Sequence, residues 1–258
     1  MPKMTKKWID AGPLHLEILT SRILRSDSPK TRQAKKLMSS AAQKLLNDKR
    51  SALRLELDLA ANYLPGDLVA TLTFDDEHLP FRRRQVFTAL KYFRKKLSAE
   101  YRSRGATLVM HSSIEHKHGD GRWHVHAVMN AADVDYQRIA ELWGRGDVHF
   151  CRLLIGKHHD PDDPKTVKEY SYEGLAKYMT KERPDKPGDR CWTCTQSAKH
   201  PTIETALVDA DTVLNPPKGA RLLDSDKKKN QFCRLEYIKW IDAEPERSKT
   251  SKRRKKKN

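Results

Sequence analysis

Apolar and polar positions alternate with period two in three stretches of the chain, the signature of half-buried strands. In 68–75 the alternation sorts Leu68, Ala70, Leu72 and Phe74 from Val69, Thr71, Thr73 and Asp75. In 106–115 it sorts Leu108, Met110, Ser112 and Ile114 from Thr107, Val109, His111, Ser113 and Glu115. In 122–130 Trp123, Val125, Ala127 and Met129 share one side, and His124 and His126 project from the other. The last two stretches are joined by His116, Lys117, His118, Gly119, Asp120 and Gly121, a loop that predicts a β-hairpin.

Helical spacing fills the gaps. An amphipathic helix is predicted over roughly 81–103 after Pro80, another over 133–143 ending at Gly144, and a fourth strand over 147–154. The order β-α-β-β-α-β is the split βαβ, or ferredoxin-like, arrangement of an α+β protein: an antiparallel sheet with its helices on one face. A further helix is expected over roughly 165–182, stopping before Pro184. The chain divides on this reading into a basic N-terminal helical region (1–65), a domain at 66–184, a small C-terminal appendage (185–245) and a disordered basic tail (246–258). The appendage is expected to hold a strand at 191–195 and a helix or strand at 231–241.

Parity then locates the chemistry. Three neighbouring strands bury one apolar face and leave a polar, open one that carries His124, His126 and Glu115. Two imidazoles at i and i+2 beside a carboxylate form a donor set for a borderline-to-hard divalent ion such as Mg²⁺ or Mn²⁺. With three protein ligands, positions stay open for a substrate phosphate. His111 shares this face but lies about 13 Å from Glu115 along the strand, so it is left out of the set. On the predicted helix, Tyr178 and Lys181 are three residues apart and share one side. An ammonium there favours the phenolate of a residue that is otherwise a poor nucleophile at neutral pH.

Composition narrows the partners. The 258 residues carry a net charge of +17, which points to a polyanion, nucleic acid before an acidic membrane surface. No apolar run is long enough to span a membrane, and the basic first residues have no apolar core of a signal peptide behind them. Four cysteines, Cys151, Cys191, Cys194 and Cys233, make no disulfide framework, and a reducing cytoplasm, that of a bacterial host cell, is expected. Cys191 and Cys194 with Cys233 and His200 leave zinc open beside plain packing. The basic tail is read as a phosphate contact.

Read in order, these pieces resemble the HUH endonucleases that initiate rolling-circle replication. The likeness rests on the Thr71-Leu72-Thr73-Phe74 strand, the His124-Val125-His126 pair with Glu115 upstream, and Tyr178 to Lys181 on a helix. The segments from Trp143 to Val148 and from Trp192 to Pro201 are similar to parts of phage and bacterial-element initiators, so the resemblance covers about 35–205. It implies a single-strand nickase and strand transferase in which Tyr178 forms a 5′-phosphotyrosine link. Glu115, His124 and His126 would hold the metal, and single-stranded DNA at a replication origin would be the substrate, with host helicase and polymerase as partners. Some phage members carry a second tyrosine four residues away; here Gly174 stands four before Tyr178, while Tyr170 and Tyr172 lie farther upstream, so a single-tyrosine type is expected.

Two other functions compete. A relaxase or a transposase uses the same chemistry for mobilisation. A non-catalytic RNA-recognition module shares the strand order, but it stacks bases on aromatics of its open face. Here that face holds Thr71, Thr73, Ser113, His124 and His126 instead.

Overall fold

The period-two stretches are strands, and their pairing assembles the expected sheet. The structure, a computed structural model, describes residues 3–21, 41–116, 121–154, 171–182, 190–229 and 234–242. In chain order the elements are β1 (Lys3–Ala11), β2 (Leu14–Ser21), α1 (Ala41–Asn62), β3 (Leu68–Leu72), α2 (Arg83–Ser103), β4 (Met110–Glu115) and β5 (His124–Met129). They continue with α3 (Tyr136–Trp143), β6 (Val148–Arg152), α4 (Glu173–Met179), β7 (Trp192–Cys194), β8 (Thr202–Asp209), β9 (Arg221–Lys229) and β10 (Arg234–Ile241). The class is α+β, with two five-stranded antiparallel sheets.

The sheet that carries the histidines runs β6-β3-β5-β4-β7. Its first four strands have the order of the split βαβ unit, and β7 extends its edge by pairing with β4. Helices α2 and α3 cover one face. Val86, Ala89, Leu90, Phe93, Leu97 and Tyr101 recur every three or four residues along α2 and are buried against Leu68, Ala70, Leu72, Val125, Ala127 and Met129. Helix α3 ends where Gly144 turns left-handed at φ 55° and donates to the Ala140 carbonyl.

Two glycines later the chain passes against the end of β3. A Cβ on Gly146 would lie 2.7 Å from the Asp75 nitrogen and 2.8 Å from the Thr73 oxygen, so only glycine permits the approach. The approach is then stitched: Trp143 Nε1 donates to the Thr73 carbonyl at 2.7 Å, and the Asp147 amide donates to Thr73 Oγ1 at 3.0 Å. The Thr71–Phe74 strand and the Trp143–Val148 segment, separate likenesses in sequence, are one structural unit.

The expected helical character of 1–65 is corrected for 3–21, which form the β1–β2 hairpin, while Ala41–Asn62 are the helix α1. Nor do the C-terminal strands form a separate appendage. Strand β7 belongs to the histidine sheet, and β8, β9 and β10 join β1 and β2 in a second sheet, β8-β1-β2-β10-β9. The reason is edge pairing: the hairpin leaves two edges, satisfied by β8 on β1 and β10 on β2. Leu14 and Leu16 of this sheet meet Leu55 and Leu59 of α1, Tyr63 just past its end, and Ala176 and Met179 of α4 in a second core. The polar face of the histidine sheet is therefore not open along its whole length, as expected, because Val128 is buried beneath this layer. Of the helix expected over 165–182, the described part is helical only over Glu173–Met179, because the chain turns at Thr180, so Lys181 shares no helix face with Tyr178; the tail at 246–258 lies outside the described residues.

Candidate active site

Strand register brings the site residues together. Glu115 of β4 is paired directly with His124 of β5, and His126 lies between Ser113 of β4 and Thr71 of β3. Side chains of one parity share a face, so both histidines, Glu115 and Thr71 converge as the alternation requires. Helix α4 lays Tyr178 over them, and Lys181, two residues past its end, follows in the turn that leaves it. The Tyr178 hydroxyl is 3.4 Å from His126 Nε2, and the two rings meet edge to face at 4.9 Å.

Lys181 closes the group from the other side. Its ammonium is 2.7 Å from Glu115 Oε1 and 4.0 Å from the centre of the Tyr178 ring. Glu115 Oε2 is 2.5 Å from His126 Nε2. Four of the five expected site residues, Glu115, His126, Tyr178 and Lys181, are thus joined in a ring of contacts. His124 stands beside them by register, near enough for its charge to lower His126.

The electrostatics follow from burial and from these contacts. Burial disfavours the Glu115 carboxylate, but hydrogen bonds from Lys181 and His126 outweigh it and hold the carboxyl below its usual range. Burial also pushes His126 below the ordinary histidine value in spite of Glu115. Lys181 is pushed down by burial and, more strongly in sum, up by Glu115, so it stays firmly charged. The site at neutral pH therefore holds a carboxylate, a neutral imidazole and an ammonium beside the Tyr178 ring.

Thr71 was legible only as part of a strand motif, yet it orients the imidazole. Its Oγ1 is 3.2 Å from His126 Nδ1, which turns Nε2 toward Glu115 and Tyr178. The donors, two imidazoles and one carboxylate, suit a divalent ion in kind. Among the described residues no group of three or more His, Cys, Asp and Glu side chains is already arranged to hold a metal.

Helix α4 is held by contacts that sequence reasoning missed. Lys239 of β10, buried, reaches Glu173 at the start of α4 at 2.6 Å and Glu56 of α1 at 3.2 Å. Tyr178 is 45 % exposed, whereas Tyr172 is 3 % exposed and donates its hydroxyl to the Tyr63 carbonyl at 3.2 Å. Only the first is placed to meet a substrate; Tyr170 lies outside the described residues. Beside α4 a cleft of about 810 Å³ opens between α1 and the second sheet, lined by Lys49, Arg50, Lys177 and Lys181 together with Leu235 and Tyr237.

Residues 67–183 match the family model described as Replication-associated protein ORF2/G2P. The matched segment covers under half of the chain and contains Glu115, His124, His126, Tyr178 and Lys181. It supports a replication-associated protein of the initiator kind, and with it a role in the initiation of DNA replication. No curated protein and no solved structure matches the chain. No helix among the described residues is long and apolar enough to cross a membrane.

Proposed function

We propose that the chain is a single-tyrosine HUH endonuclease that nicks and rejoins single-stranded DNA at a replication origin, with Tyr178 as nucleophile. The observation that carries this reading is the half-exposed Tyr178 hydroxyl 3.4 Å from His126 Nε2, ringed by Glu115 and Lys181 within a segment matching replication-associated proteins.

Glu115, His124 and His126 would hold a Mg²⁺ or Mn²⁺ ion. Their fit lies in the donor set and in the Thr71 contact that turns His126 Nε2 inward. Such an ion, when bound, supplies Lewis-acid polarisation of the scissile phosphate. Lys181, 4.0 Å from the centre of the Tyr178 ring, steadies charge building on the phosphate. As the Tyr178 oxygen bonds to phosphorus, the phenol proton leaves and the P–O3′ bond breaks. The departing 3′ oxygen takes up a proton. The products are a 5′-phosphotyrosine and a free 3′-OH that a host polymerase can extend after a host helicase opens the duplex; reversal rejoins the strand.

The net charge of +17 supplies the attraction for phosphates. The test is incubation with single-stranded origin DNA and Mn²⁺, followed by denaturing gels and mass mapping of the adduct peptide. The expected result is a nucleotide on Tyr178. An adduct on Tyr170 or Tyr172, or hydrolysis with no adduct, would refute the mechanism.

A further inference from the structure

The proposed nucleophile sits on a helix too short to place itself. Helix α4 has seven residues, Glu173–Met179. A helix of that length is marginal on its own, so its position is set by what grips its two ends. Beyond the last turn Glu182 accepts from the His116 amide at 2.7 Å, and Lys181 meets Glu115, which ties that end to the end of β4.

The start of α4 is gripped at three consecutive residues. The Ser171 hydroxyl donates to Glu56 of α1, and the Tyr172 hydroxyl donates to the Tyr63 carbonyl at 3.2 Å. Glu173 accepts from Lys239 of β10 at 2.6 Å. The same ammonium donates to both Glu56 carboxylate oxygens at 3.2 Å, so one lysine joins α1, α4 and the second sheet. Burial works against its charge, but Glu56 and Glu173 outweigh burial and hold Lys239 above the usual lysine value.

Such a tie contributes geometry more than stability. Replacing a buried ion group by apolar side chains of similar volume is often neutral for stability. An ammonium that donates to two carboxylates at once, however, defines one placement of the helices that carry them. Glu173 and Tyr178 are five residues apart, about 7.5 Å along the helix axis, so a shift of the first turn carries the phenol with it. The Tyr178 hydroxyl now stands 3.4 Å from His126 Nε2. Misplacing a reacting group by about 1 Å costs on the order of 100-fold in rate.

Glu173 lies within the matched segment, 67–183, whereas Glu56 and Lys239 lie outside it. We propose that Lys239 is a positioning residue for the reaction, seating Tyr178 over His126 through Glu173, an inference that rests on the reading of Tyr178 as nucleophile. The second sheet then belongs to the reaction centre, although it supplies no reacting group.

The experiment measures single-turnover formation of the Tyr178 adduct on single-stranded origin DNA with Mn²⁺, and hydrogen exchange of the α4 amides, in the full chain. Lys239→Met should lower the saturating rate on the order of 10- to 100-fold and leave the half-saturating DNA concentration unchanged. Exchange at α4 should quicken. Glu173→Ala, at the partly exposed end of the tie, should do the same and carries the test where the buried variant does not fold. Glu173→Gln keeps an oxygen for Lys239 and should recover most of the rate. Ile238→Ala cuts into the core on the other face of β10, and should lower stability while the rate per folded molecule holds. A rate that falls in Ile238→Ala as it does in Lys239→Met would reduce the tie to ordinary stability and overturn the proposal. Wild-type rate and exchange in Lys239→Met would overturn it too. A wild type with no adduct on Tyr178 would refute the nucleophile instead, and exchange would then decide the tie alone: if α4 is no looser in Lys239→Met than in Ile238→Ala, the tie is wrong as well.

Discussion

The two ends of one sheet face hold the same residue types in opposite circumstances. At one end Glu115, His126 and Tyr178 meet under the short helix α4, with the tyrosine half-exposed. At the other, His111, Tyr63 and Asp58 meet under the long helix α1, all buried. A histidine, a tyrosine and a carboxylate make a candidate reaction centre in the first place and a structural tie in the second. The difference lies in where the tyrosine proton goes. Tyr63 spends its proton on the Val128 carbonyl, while the Tyr178 hydroxyl is committed to no carbonyl and faces an imidazole.

The largest expected effect is at the exposed end. Tyr178→Phe keeps the ring over His126 and should remove the covalent DNA adduct below detection, with Tyr172→Phe still forming it; adduct gels with both variants test this. Lys181→Ala should slow adduct formation without abolishing it.

Next comes Thr71→Val, which removes the oxygen 3.2 Å from His126 Nδ1 but keeps the shape of the strand. A drop in nicking rate of about 10- to 100-fold is expected, read from initial rates at saturating Mn²⁺. An unchanged rate would mean that the imidazole needs no support from β3.

At the sealed end the same kind of change should strike stability instead. Tyr63→Phe leaves the His111 amide and ring and the Val128 carbonyl short of a partner, at a cost of about 1–3 kcal/mol. Denaturant unfolding measures it, and the adduct yield per folded molecule should stay near that of the wild type. A selective loss of nicking would break the division of the face into a reactive and a structural end.

The smallest effect is the pH dependence. Glu115 and Glu173 both have carboxyl groups below the usual 4.5, after burial has been outweighed by Lys181 and His126 for the first and by Lys177 and Lys239 for the second. A carboxyl lowered on folding stabilises the native state above its unfolded value and loses that contribution as pH falls through the folded one. Melting temperature should therefore hold above about pH 4.5 and decline below it. The decline should be shallower in Glu173→Gln.

The histidine sheet was legible because its strands alternate cleanly: Leu68, Ala70 and Leu72 against Thr71, and Val125 and Ala127 against His124 and His126. The first hairpin carried the same signal, with Leu14, Leu16 and Ile18 in alternation after a turn at Gly12, yet its partners β8 and β10 lie about two hundred residues away. A strand whose neighbours are that remote reads as a basic segment until the pairing is seen. Lys239 was hidden for a related reason: nothing near it in sequence announces Glu56 or Glu173.

By itself the sequence determined the parity of each strand, the split βαβ order and the shared face of Glu115, His124 and His126, because a period of two obliges side chains to share a face, whereas Tyr178 and Lys181 were singled out by the resemblance of their segment. What covers that face was decided only by tertiary structure. Tyr178 meets His126, and Tyr63 seals His111, through contacts 52 and 48 residues apart along the chain. Local periodicity holds no information about which helix crosses which end of a sheet. That choice depends on the summed burial of α1 and α4 between two sheets, one of them built from both ends of the chain.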